Sequence, residues 1–198
     1  MKQLLLASNN ADKATEFRAG LAGLPITLVT LKDYPQFPPT EEDAETLEGN
    51  AVKKAMEAWQ RTKVPSLADD TGLEVFYLDG RPGVYSSRFA GPNATYADNC
   101  RKLIAEMKGV APRRRKAQFR CVLAFVPDGK TVHCVEGVCP GVITEEPSGD
   151  GGFGYDPLFL PDGYAQTFAA MTVAMKNTLS HRGKAIIAMK KLLGEVAW

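Results

Sequence analysis

The stretch Leu4-Leu5-Leu6-Ala7-Ser8-Asn9-Asn10-Ala11-Asp12-Lys13 sets the fold class. Its apolar run is the length of a short buried strand. The polar triplet after it offers capping side chains, and Ala14, Phe17, Leu21 and Leu24 then recur at helical spacing. The order is strand, polar turn, helix. The same run is too short for a signal peptide or a membrane span.

Working outward, Ile26 to Leu31 reads as a second strand. A loop rich in proline and aromatic residues (33–40) leads into an acidic cluster: Glu41, Glu42, Asp43, Glu45 and Glu48. Ala51, Ala55, Ala58 and Trp59 mark a long helix ending near Lys63. Ser66-Leu67-Ala68 is a short strand expected to run into a turn at Asp69-Asp70-Thr71-Gly72, with a further strand over Leu73 to Leu78. Residues 80–94 are loop and Thr95 to Lys108 a helix. Ala117 to Val126 and Lys130 to Val138 form a hairpin, and Val142-Ile143 is a short apolar pair. Residues 147–157 are a glycine-dense loop, and Ser180 caps a final helix closed by Gly194. Mixed strands and helices without repeats or linkers predict an α/β chain around one main sheet, a single domain over residues 1–198.

The chain has 198 residues, with 24 Lys+Arg against 23 Asp+Glu, a net charge of +1. There is no global basic field, which argues against nucleic acid and acidic membrane as partners. The four cysteines, Cys100, Cys121, Cys134 and Cys139, form no CxxC pair. They are expected as reduced thiols in a cytoplasmic protein. Two histidines are too few for a His-rich zinc site.

Gly149-Asp150-Gly151-Gly152-Phe153-Gly154 matches G-x-G-x-x-G letter for letter. Glu145-Glu146-Pro147 before it and Tyr155-Asp156-Pro157 after it do not supply the strand and helix that dinucleotide binding needs. Glycines there let backbone approach a ligand, and Phe153 and Tyr155 offer aromatic faces for a base. Asp69-Asp70 at a strand end suits Mg²⁺, though an Asx turn closed by Gly72 fits the pair equally well. Adjacent side chains point to opposite faces of a strand, so one of the two is expected as a ligand. The acidic cluster before the long helix is accounted for by the helix dipole alone. Lys176, His181, Arg182 and Lys184 lie before or inside the first turn of the final helix, and Lys13 inside the first turn of the first. Cations are disfavoured at that end, and two such places suggest a polyanionic ligand such as a nucleoside triphosphate. Arg113-Arg114-Arg115-Lys116 reads as a solvated loop.

Together these residues resemble the inosine triphosphate pyrophosphatase family, also called Ham1-like. The resemblance is carried by Ser8-Asn9-Asn10 with Lys13 and Glu16; by Glu41-Glu42-Asp43 leading to Asn50-Ala51 and Lys54-Ala55; and by Leu67-Ala68-Asp69-Asp70-Thr71-Gly72-Leu73. Pro82-Gly83-Val84-Tyr85-Ser86, Gly152-Phe153-Gly154-Tyr155-Asp156-Pro157, and Lys176-Asn177 with Ser180-His181-Arg182 complete it. It implies a long twisted mixed sheet with two lobes around a cleft, usually as a homodimer. It implies Mg²⁺-dependent hydrolysis of ITP, dITP or XTP to monophosphate and pyrophosphate. Ser8, Asn9, Asn10, Ala11, Asp12, Lys13 and Lys54 would hold the triphosphate. Glu41 and Asp70 would carry Mg²⁺, with Asp70 also the proton acceptor, and Thr71 would contact substrate. Phe153, Gly154, Tyr155 and Asp156 would form the base pocket, with Lys176, His181 and Arg182 reading the purine. A Maf-like pyrophosphatase of other base preference and a non-catalytic nucleotide-binding regulator are the rival readings. Ala44 and Gly49 depart from the family, which often has Gly and Glu there.

Overall fold

The computed structural model describes Lys2–Trp198. Seven strands form one mixed sheet: β1 (Lys2–Leu6), β2 (Ile26–Thr30), β3 (Ser66–Val75), β4 (Pro82–Gly83), β5 (Lys116–Val126), β6 (His133–Ile143) and β7 (Phe159–Pro161). Their order is β2-β1-β3-β5-β6-β7, with β4 paired to β3. Among the described residues five α-helices accompany them: α1 (Ala11–Gly20), α2 (Leu47–Thr62), α3 (Tyr96–Glu106), α4 (Val173–Leu179) and α5 (His181–Glu195). β1 runs parallel to β2 and β3, whereas β4 on β3 and β7 on β6 are antiparallel. The expected α/β class is the observed one.

The chain divides into two compact units. The first comprises the chain up to Asp70, Cys121–Gly137 and Arg182–Trp198; the second comprises Thr71–Arg120 and Val138–His181. The first has a core of Leu4, Leu6, Phe17, Leu67, Leu123, Phe125, Ile186 and Met189, among others. Here β1 and β3 meet one face of α1 and of α5. The second is built on Leu73, Leu103, Met107, Phe119, Leu158, Phe159 and Phe168. Along β5 the odd-numbered side chains serve the second core at Ala117 and Phe119, then the first at Cys121, Leu123 and Phe125, as period-two alternation requires.

Several boundaries differ from the sequence reading. β3 is one ten-residue strand that passes through Asp69-Asp70-Thr71-Gly72 instead of turning there. Lys176 lies in a separate short helix, α4, and α5 continues through Gly194 to Glu195. β6 continues to Ile143 in one strand, absorbing Val142 and Ile143. Arg115 is not solvated. Its buried guanidinium donates to the carbonyls of Ile143 (2.7 Å), Met107 (2.9 Å), Val110 (3.4 Å) and Thr144 (2.8 Å), tying the end of α3 to the end of β6. Charge pattern alone cannot reveal an arginine recruited by backbone carbonyls.

The Ala44 and Gly49 departures touch each other. A Cβ on Gly49 would fall 2.8 Å from Ala44 Cβ, so the methyl at 44 occupies space that a side chain at 49 would need. Among the described residues no helix is long and apolar enough to cross a membrane.

Candidate functional site

In the first unit, Ser8-Asn9-Asn10 is the turn between β1 and α1. Ser8 Oγ accepts from Asn10 N at 3.2 Å, and Asn10 Oδ1 caps α1 by accepting from Asp12 N (2.9 Å) and Lys13 N (3.1 Å). Lys13 in that first turn reaches Asp69 Oδ2 at 2.9 Å. A cation at the unfavourable end of a helix is thus held by a buried carboxylate.

Asp69 and Asp70 go to different partners, as adjacent strand residues must. Asp69 receives Lys13 and, at 3.4 Å, Arg182 Nε; Arg182 Nη1 donates to Glu16 at 2.6 Å. Burial alone would raise the Asp69 pKa, but Lys13, Arg182 and Lys54 outweigh it and hold the carboxyl well below the usual range. Burial likewise opposes the charge on Arg182, and Asp69 and Glu16 more than restore it, so its pKa is raised. Asp70 receives Lys54 Nζ on Oδ1 (3.1 Å) and Asn50 Nδ2 on Oδ2 (3.1 Å). Its pKa is raised, chiefly by burial, with Glu42 adding to the shift and Lys54 and Lys13 opposing it. Asn50 and Lys54 stand four residues apart on one face of α2.

Lys54 also meets Glu42 Oε1 at 2.8 Å, so two carboxylates gather at one ammonium. Burial disfavours the Lys54 charge, yet Asp70, Asp69 and Glu42 raise its pKa overall. Glu41 beside them is solvent-exposed. Two hard oxygen donors fit Mg²⁺, which usually takes one or two carboxylates plus substrate phosphates. Among the described residues no set of three or more His, Cys, Asp or Glu is gathered as a fuller metal site.

In the second unit, Gly152 to Asp156 forms a closed loop. Asp156 Oδ2 accepts from Phe153 N (2.9 Å) and pairs with Lys176 Nζ (2.5 Å). Lys176 Nζ also lies 4.7 Å from the centre of the Phe153 ring. Tyr155 is buried, and its hydroxyl donates to Ser86 O at 2.9 Å, so its ring anchors the loop from within. Ser86 Oγ in turn accepts from Leu73 N (2.9 Å) and donates to Gly83 O (2.6 Å), which gives the Pro82–Ser86 motif a structural role beside β3. His181 is buried with its ring parallel to Phe119 at 4.5 Å. Thr71 follows Asp70 on β3 and is half-buried.

The structure therefore gathers Lys13, Lys54, Asp70 and Arg182 with Asp69, Glu16, Glu42 and Asn50 in the first unit. In the second it gathers Phe153 to Asp156 with Lys176. Sequence reasoning assigned no role to Asn50, Glu16 or Glu42. The spacings Asn50–Lys54 on α2 and Lys13–Glu16 on α1, each one helical turn, are the signal that could have found the first two.

Residues 4–192 match the model of the Ham1 family. The chain is 46% identical over 194 residues to a dITP/XTP pyrophosphatase of Geobacter sulfurreducens, covering 98% of each protein. It is 44% identical to a protein of the same name from Desulforamulus reducens, covering 98% of this chain and 96% of that one. Among solved structures, a HAM1 protein from Coxiella burnetii superposes with a TM-score of 0.91 at 36% identity, covering 99% of this chain and all of that one. The Staphylococcus aureus Ham1 protein gives 0.87 at 33% identity, with 98% of each chain covered.

Proposed function

The chain belongs to the Ham1 family, and from that premise we propose that it is a Mg²⁺-dependent nucleoside triphosphate pyrophosphatase. It hydrolyses non-canonical purine nucleotides (dITP, XTP and ITP) to the monophosphate and pyrophosphate. The observation that supports this best is the Lys54 ammonium shared by Asp70 and Glu42. A buried cation bounded by carboxylates offers both a phosphate contact and oxygen donors. A binding module without catalysis would not need a raised-pKa carboxylate at that point.

Bound Mg²⁺, held by Asp70 with Glu41 or Glu42, would neutralise charge on the phosphate oxygens. Asp70 takes the proton of the attacking water. Lys54 and Asn50 fix the orientation of its two oxygens. Lys13 and the Ser8–Asp12 turn, at the positive end of α1, bind the triphosphate. Thr71 contacts the nucleotide. Phe153 stacks on the base, and Gly154, Tyr155, Asp156 and Lys176 shape the loop that carries it. His181 and Arg182 are assigned to the purine edge as donors, where a 6-oxo group accepts and a 6-amino group does not. Homodimerisation and a cytoplasmic location belong to the same proposal.

The test is a panel of nucleoside triphosphates incubated with the protein and Mg²⁺, with both products identified. Monophosphate and pyrophosphate from dITP, XTP and ITP are expected. Direct release of orthophosphate would overturn the bond assignment, and preference for canonical or pyrimidine nucleotides would favour a Maf-like activity.

A further inference from the structure

The N-terminal half of α3 has no place in the chemistry above, yet it meets the glycine loop twice. Tyr96 and Cys100 are four residues apart and share one helix face. The Tyr96 ring lies 6.1 Å from the Phe153 ring, tilted by 40°. Cys100 Sγ donates to Gly154 O at 3.3 Å. One face of one helix thus touches two consecutive residues of the loop, the first by its ring and the second by its carbonyl.

This helix is a firm support. Thr95 and Asp98 form a reciprocal capping box at its start. Asn99 donates to Ser87 O (3.1 Å) and accepts from Ala90 N (2.7 Å), fixing the preceding loop to it. The glycine loop is pinned at Tyr155 by Ser86 and at Asp156 by Lys176. Tyr96 and Cys100 add a ring contact to Phe153, whose ring also faces Lys176, and a hydrogen bond to Gly154. Gly154 has a φ of +63°, and a Cβ there would meet nothing within 4 Å. Its carbonyl accepts the Cys100 thiol. Tyr96 is 46% exposed, so its ring serves a surface and not a core.

We propose that Tyr96 and Cys100 are positioning residues that set base discrimination by fixing the Phe153 ring and the Gly154 carbonyl. The proposal rests on the reading of Phe153–Asp156 as the base loop. Burial and then Asp156 push the Cys100 pKa up to about 11, so the donor proton stays in place at neutral pH.

The experiment compares kcat and KM on dITP, XTP and dATP, with Mg²⁺, for wild type, Tyr96→Ala, Tyr96→Phe, Cys100→Ala and Cys100→Ser. The alanine variants are expected to lower the dITP-to-dATP ratio of kcat/KM by about three- to tenfold, chiefly through KM for dITP. Tyr96→Phe keeps the ring and Cys100→Ser keeps a donor, so both stay within about twofold of wild type. Alanine variants that keep the wild-type ratio overturn the proposal, as does an equal loss of kcat on every nucleotide. A serine variant as impaired as alanine overturns the hydrogen-bond part. Wild type without preference for dITP over dATP would instead overturn the base-loop reading itself.

Discussion

Lys54 Nζ stands 3.1 Å from Asp70 Oδ1, a helix cation set against a strand carboxylate within the first unit. The lysine keeps Asp70 ionisable despite its burial, and the burial keeps its proton affinity above that of a free aspartate. Both properties suit a base that must release its proton and then take one from water.

Asp70→Asn removes that base at nearly constant volume. Loss of general-base catalysis costs about 10²–10⁴ in rate, so kcat on dITP should fall by at least about a hundredfold while the circular-dichroism spectrum is kept. Activity within about tenfold of wild type, ~1.4 kcal/mol on the barrier, would rule out an essential role.

The same carboxylate sets the acid side of the pH profile. Catalysis needs Asp70 ionised, and in the metal-free protein, the state that kcat/KM reports, its folded pKa is raised above 3.8. kcat/KM should therefore fall as pH decreases through a value higher than that of an ordinary aspartate, and be constant above it. A profile flat down to the ordinary aspartate range would remove Asp70 from the rate.

Arg182, Glu16 and Asp69 form a buried ion cluster in the first unit. Removing one partner of a buried pair strands the other, at about 3–5 kcal/mol. Arg182→Met should lower the stability measured by urea unfolding by that order. A change below about 1 kcal/mol would show that the carboxylates rehydrate freely.

Much of this arrangement is legible in the sequence because it depends on local rules. The strand, turn and helix around Ser8-Asn9-Asn10 and the loop character of the G-x-G-x-x-G run both follow from spacing and side-chain chemistry, whereas the cap at Thr95, read in sequence as the first helical residue, shows only in the structure. The course of β3 does not. Asp-Asp-Thr-Gly has the composition of a turn, and only partners far along the chain let the strand continue through it: Lys13 and Arg182 for Asp69, Lys54 and Asn50 for Asp70. Arg115 is hidden for the same reason, since its acceptors are carbonyls that no residue type announces.

The run Arg113–Arg115 consequently splits in two. Arg113 and Arg114 are exposed, and replacing both with glutamine should alter stability by no more than about 0.5 kcal/mol. Arg115→Gln leaves several buried carbonyls without their donor, each costing about 1–3 kcal/mol, and should destabilise by about 3 kcal/mol or more. Equal effects from the two changes in a denaturant titration would contradict the assigned contacts.

Gly152 and Gly154 offer a comparison within one loop, because both have positive φ (+69° and +63°) yet differ in what surrounds them. An alanine at either position pays the left-handed backbone cost of about 1–2 kcal/mol. At Gly154 the added Cβ meets nothing within 4 Å, so backbone strain is the whole penalty. At Gly152 it would fall 2.1 Å from Asp156 Oδ2, the oxygen that receives both Phe153 N and Lys176. The carboxylate must then move, which breaks the closure of the loop and leaves a buried lysine without that partner. Gly152→Ala should raise KM for dITP by at least about tenfold more than Gly154→Ala does, since loss of a charge-assisted contact exceeds ~1.4 kcal/mol. Because both variants carry the same strain, the difference between them isolates the Asp156 contact. Equal KM values in the two variants would show that Asp156 does not organise this loop for binding.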